Sequence, residues 1–267
     1  MTPAPIRRVE GRAFGRPTHW YENVATGERI DGVTTLEKNF LPTPALIRWA
    51  SNTTAEQAVD RWDELSALGV TERLKVLKGA AWESRDKAAL RGTELHAHAE
   101  RLIHGEPVEV SDEQLPLVES AARFLDDWEV EPILVERPVY HLAHGWAGTL
   151  DIVGRLRDGR VWICDYKTGK AAYPEHALQL ACYANAEGWV DDEGEAHAMP
   201  PVEAGGVVHV RADGYDLIPL DISDGVYRVF RHGCVVARFV MAQEKARKHG
   251  GGVIGSPLRI EDLEQTA

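Results

Sequence analysis

Apolar residues in this chain recur in two rhythms, and the change from one to the other falls near Pro132. Before it, residues 43–105 are rich in Ala, Leu, Glu, Lys and Arg with breaks near 51–54 and 69–71, which predicts several helices. The last of these is expected over residues 79–104. There Ala81, Ala88, Leu95 and Leu102 lie seven apart on one stripe, and Gly105 supplies a stop. Another helix is expected over 112–128. After Pro132 the period becomes strand-like, predicting strands at 133–142, 147–156 and 160–167, the last two joined by Arg157-Asp158-Gly159. Residues 174–187 return to a helical pattern with Pro174 in the first turn. Residues 207–220 read as a hairpin and 225–248 as a closing helix. Ahead of all of these, residues 19–36 resemble a small hairpin turning on 25–28. The order predicts an α/β fold, with a central mixed sheet flanked by helices over 79–250. A mainly helical extension is expected over 1–78 and a tail over 251–267.

The chain has 267 residues, 44% of them hydrophobic, enough for one sizeable core with an appendage. No apolar run approaches the length of a membrane span, and the first residues lack a secretion-like stretch, so a soluble cytoplasmic protein with no membrane partner is expected. Cys164, Cys182 and Cys234 are scattered and never paired as C-x-x-C, so they read as small core residues. A net charge of -12 argues against a nucleic-acid partner until its distribution is considered. Over 71–91 the basic Arg73, Lys75, Lys78, Arg85, Lys87 and Arg91 outnumber Glu72, Glu83 and Asp86. Arg228, Arg231, Arg238, Lys245, Arg247 and Lys248 form a second excess, whereas 187–224 is strongly acidic. Basic residues also decorate solvated helix faces, so charge alone decides nothing.

The third strand ends in Asp165-Tyr166-Lys167, which sets a carboxylate and an ammonium on one face of a strand end. In isolation such a tripeptide is a surface ion pair. Asp151 changes the reading. A three-residue loop at 157–159, with Gly159 in the left-handed conformation, pairs position 151 with 165 and turns both carboxylates the same way. Like charges directly opposite destabilise a sheet unless compensated, and a hard divalent cation is the economical compensator. His96 sits on the long helix, with Gly92, Thr93, Ala99 and Glu100 on its face and His98 and His104 as rivals. A zinc site using His104, His96 and Glu100 remains open but lacks a recognised ligand pattern. Gln179 and Tyr183, four apart, project from one face of the helix after the third strand, as an amphipathic edge also would.

These residues resemble the RecB-type branch of the PD-(D/E)XK nucleases, including phage exonucleases. The resemblance rests on G-T-x-x-H at 92–96, G-x-x-D at 148–151, D-x-K followed by Thr-Gly at 165–169, and Q-x-x-x-Y at 179–183, in the family's order. It covers about 79–188, and 32–35 with 44–49 also look like phage-encoded members. It implies a restriction-endonuclease-like core and a Mg2+- or Mn2+-dependent deoxyribonuclease, foremost an exonuclease of phage recombination or replication acting with phage proteins in the host cytoplasm. The alternatives are a structure-specific endonuclease, or a DNA-binding or scaffold module whose site has decayed. The implied ligands are His96, Asp151, Asp165 and the Tyr166 carbonyl. Lys167 orients or activates water and stabilises developing charge. Gln179 and Tyr183 support the site or the DNA, Glu136 is a helper or an arginine's partner, and Arg85 and Arg91 belong to a basic rim for phosphates. Some relatives carry a four-cysteine iron-sulfur cluster; three scattered cysteines depart from that pattern, so no cluster is expected.

Overall fold

The computed structural model describes residues 2–13, 16–42, 44–248 and 251–253. Its elements are β1 (Ile6–Ala13), β2 (Arg16–Asn23), β3 (Arg29–Gly32), α1 (Val33–Phe40), α2 (Pro44–Asp60), α3 (Trp62–Ala67), α4 (Val70–Ile103) and α5 (Leu115–Asp127). There follow β4 (Glu131–His141), β5 (Trp146–Arg155), β6 (Val161–Lys167), α6 (Pro174–Ala184), β7 (Gly188–Val190), β8 (Ala196–Ala198), β9 (Ala204–Arg211), β10 (Gly214–Leu220) and α7 (Asp224–Lys248). The fold is α/β, a curled mixed sheet flanked by helices. Strands run β1-β2-β3-β5-β4-β7-β8, and β6 pairs with β5 and β9, which in turn carries β10. The β3–β5 and β6–β9 pairs are parallel and the others antiparallel. Among the described residues, no helix is long and apolar enough to cross a membrane.

Both faces of the sheet are buried. On one, α1, α6 and α7 close over Leu134, Val139, Trp146, Leu150, Val153 and Ile163. On the other, α4 and α5 close over Val135, Ile152, Trp162, Cys164, Tyr166 and Val208. Cys164 thus belongs to one core and Cys182 and Cys234 to the other.

Some expectations change at the N-terminus. The hairpin expected over 19–36 forms as β2 with β3, Tyr21 opposite Ile30, but its second strand ends at Gly32, where the chain becomes helical, and β1 adds a further strand on β2. The β-branched run Val33-Thr34-Thr35 favours a strand locally, but Val33, Leu36 and Glu37 are buried at helical spacing, and that packing prevails. The segment 1–78 is mainly helical, through α1, α2, α3 and the start of α4, and it also carries three strands. It does not stand apart: β3 joins β5 and α1 packs on α7, while the boundary expected at 78 falls inside α4. α4 begins nine residues earlier than expected, at Val70. Its stripe is also interrupted: Ala81, Leu95 and Ala99 are buried, whereas residues 82–85 and 87–91 are exposed. The helix crosses open solvent between its packing on α2 and its packing on α5. The expected tail lies, from residue 254 on, outside the described residues.

Candidate metal and catalytic site

The β5–β6 hairpin has the loop its sequence requires. Gly159 has φ of +81°, its N–H donates to the Leu156 carbonyl, and Ile152 pairs with Cys164. Extending that register by one position sets Asp151 opposite Asp165. On the other flank, Val135 pairs with Ile152 and Arg137 with Leu150, which brackets Glu136 opposite Asp151. Three adjacent strands therefore each present one carboxylate at the same level of the sheet.

The side-chain alternation of β4 and β5 breaks at that level. Leu150 and Val153, an odd number of positions apart, enter the same core, as do Leu134 and Val139. The break coincides with Glu136, whose φ of +48° is left-handed, a conformation that costs a non-glycine residue on the order of 1–3 kcal/mol. Strain of this kind persists only where the surroundings impose it. Here it takes the carboxylate out of both apolar cores.

His96 on α4 meets this row from the α4–α5 side. Its Nδ1 lies 3.3 Å from Asp151 Oδ2 and 3.6 Å from Glu136 Oε1, and its Nε2 lies 3.0 Å from the Tyr166 carbonyl oxygen. His96, Glu136 and Asp151 each offer one ligand atom, all within 4.8 Å of one another. Asp165 is expected in this group; instead its carboxylate faces the Lys167 ammonium, because both occupy the α1–α6–α7 side of β6. Asp151 spans the two halves, with Oδ2 also accepting the Tyr166 N–H at 2.8 Å. Glu136, read from sequence as a helper, is central. His104 caps α4 outside this group.

The electrostatics follow from burial among like charges. Desolvation opposes a charge on His96, but Asp151 and Glu136 outweigh it and push its pKa up to about 11. Burial would raise Asp151, yet the His96 charge holds it below the usual carboxylate range. Burial and the neighbouring Asp151 lift Asp165 to about 6, despite Lys167. Lys167 itself, against its burial, is raised by Asp165 and Asp151 and is firmly a cation at neutral pH.

The remaining expected residues divide. Tyr183 is buried against Gly148, where a Cβ would come within 2.5 Å of its ring, so Gly148 is the notch that lets α6 lock onto β5. Gln179 lies within 3.4 Å of the Tyr183 hydroxyl and lines a cavity of about 560 Å3 with Arg29, Thr35, Lys38 and Thr149. Arg85 and Arg91 line a cleft of about 600 Å3 together with His96, Lys167, Thr168 and Arg211. The close helix–sheet approach expected from Gly92 is not what requires a glycine, since a Cβ there would meet only Thr168 Oγ1 at 4.0 Å.

Glu37 on α1 was not foreseen. It is 8% exposed, its Oε1 has no hydrogen-bond partner, and burial pushes its pKa up to about 8, with Lys167 acting against the rise and Asp165 adding to it. The available signal was a charge at i+4 from Val33 in a stripe with Leu36, hidden by the strand-like reading of that segment. Because its folded-state pKa lies above its unfolded value, the native state holds a proton that the unfolded chain releases. Stability is then lost as pH rises from about 4.5 through about 8. Glu37→Gln is accordingly expected to be the more stable protein at pH 9, by on the order of a few kcal/mol. The difference should vanish near pH 4, and thermal melts across that range test it.

No protein-family model matches this chain, and no curated protein does.

Proposed function

We propose that this protein is a divalent-metal-dependent deoxyribonuclease, built on a restriction-endonuclease-like core and acting in the cytoplasm. The observation that carries the reading is the row of Glu136, Asp151 and Asp165 on adjacent strands, with His96 above it and the Lys167 cation beside it. The donor set is oxygen-rich with one imidazole, which suits Mg2+ or Mn2+. The buried Asp165 Oδ2 is ion-paired with Lys167 next to the group formed by His96, Glu136 and Asp151. His96, Glu136 and Asp151 would hold the ion, with the Tyr166 carbonyl within reach of the imidazole and Asp165 holding Lys167 beside them. When bound, the ion supplies an acidified water and offsets charge on a phosphodiester in transition.

The residues supply the rest. Lys167, held as a cation by two aspartates, positions a water or a phosphate oxygen by donating hydrogen bonds and opposes developing negative charge; it is not free to act as a base. Arg85, Arg91 and Arg211 give the cleft beside His96 a positive rim for phosphates, set against a chain that is acidic overall. Gln179 and Tyr183 hold α6 against β5 from the opposite side. Retention of three carboxylates, His96 and Lys167 in one place favours an active site over a decayed one.

End-labelled linear DNA and covalently closed circular DNA, each incubated with Mn2+ and with EDTA, test the reading. Manganese-dependent cleavage is expected, and loss of the linear substrate alone identifies an exonuclease. Intact DNA of both forms at saturating Mn2+ would overturn the proposal.

A further inference from the structure

The catalytic cleft continues into a second feature that the proposed chemistry does not use. Between α2 and α4 runs a groove of about 550 Å3 lined by Leu46, Trp49, Lys78, Ala81, Trp82 and Arg85, with only small or hydroxyl residues completing it. It contains two cations and no acidic residue, in a chain whose net charge is -12. Trp82 is 59% exposed, and the Arg85 guanidinium lies 4.4 Å over its ring. The indole face therefore already accepts a flat, delocalised group. Arg85, which also pairs with Asp86 at 3.1 Å, lines both this groove and the cleft that holds His96 and Lys167, so the two adjoin at a cation. Along α4, Trp82 and His96 are about 21 Å apart. That is a span of a few nucleotides.

We infer that this groove is a subsite for single-stranded DNA, in which a base stacks on Trp82 while Lys78 and Arg85 hold the adjoining phosphates. The inference rests on the nuclease reading and extends it to the form of the substrate. A paired duplex keeps its base faces inside the stack, so an exposed indole can be used only by an unpaired strand or a frayed end. Stacking on an aromatic platform combined with a basic track is the usual physics of sequence-tolerant single-strand binding. An acidic or purely apolar protein segment would engage either the cations or the tryptophans, whereas a nucleotide chain engages both.

The test measures binding of a fluorescent oligothymidylate to the full chain by anisotropy, in EDTA so that no cleavage intervenes. Trp82→Ala is expected to raise Kd about tenfold. Trp82→Phe should keep most of the affinity, and Lys78→Glu should lower the slope of log K against log salt by about one. A blunt duplex should compete poorly. Melting curves establish that each variant is folded, as expected for exposed positions. Equal affinity of wild type and Trp82→Ala, or equal competition by the duplex, would overturn the subsite. So would a wild-type dimer that Trp82→Ala dissolves without changing oligonucleotide binding, which would assign the groove to a second copy of the chain. The nuclease reading is judged separately, by manganese-dependent cleavage in the wild type. Trp82-dependent oligonucleotide binding by a protein that never cleaves would keep the subsite and discard that reading.

Discussion

Asp151→Asn is expected to abolish manganese binding in calorimetry and to lower the rate of DNA cleavage by at least about a hundredfold. Asp151 is the carboxylate that joins the two halves of the site. Its Oδ2 faces His96 and accepts the Tyr166 N–H, and it stands between Glu136 and Asp165 in the row of carboxylates. An amide is nearly isosteric and can still accept the Tyr166 hydrogen bond, so the fold is expected to survive. What disappears is the charge that keeps His96 and a cation in place. Manganese affinity and turnover equal to the wild type would show that Asp151 is only a structural acceptor. The row would then have to be read without it.

Lys167→Ala should separate the remaining functions. Its ammonium cannot ligate a cation, so manganese binding should persist while cleavage falls on the order of 10²- to 10³-fold. The buried Asp165 complicates the comparison, because removing Lys167 leaves that carboxylate without its partner. Asp165 is already lifted to about 6, so in the metal-free variant it can relieve the strain by taking up a proton. The loss of thermal stability should therefore be larger at pH 8 than at pH 5, and smaller when manganese is present. Unchanged turnover in Lys167→Ala at saturating manganese would remove Lys167 from the chemistry.

The parts of this site that the sequence made legible are those set by local geometry. Arg157-Asp158-Gly159 dictates its own turn, the turn dictates the register, and the register sets Asp151 opposite Asp165. His96 was legible because an amphipathic helix has a countable face. What was hidden depended on distant contacts. Glu136 was visible as an acid on a strand, but its left-handed backbone and the break in alternation around it come from the pairing of β4 with β5 and from two cores competing for their side chains. Glu37 was hidden because β-branched Val33, Thr34 and Thr35 precede it, and their helix is set by packing on α7, α6 and β5, which are distant in the chain. Likewise β7 and β8, three residues each, are too short for any period to reveal.

The pairing of β3 with β5 has a consequence for how the protein comes into being. Asp31 and Trp146 are well over a hundred positions apart in the chain, and α1 packs on α7 near the other end. Contacts of such separation must overcome a large loop-closure entropy before they return any stabilisation, and they form late. As the chain leaves the ribosome, the β4–β5–β6 meander can assemble and offer β3 the edge of β5, while α1 still lacks the α7 on which it packs. Glu37, which feels the Lys167 charge, lies on the helix that packs on α7. The pocket around the lysine is thus bordered by a segment made before the β4–β5–β6 meander, which packs on a helix made after it, and that arrangement is complete only once α7 is in place.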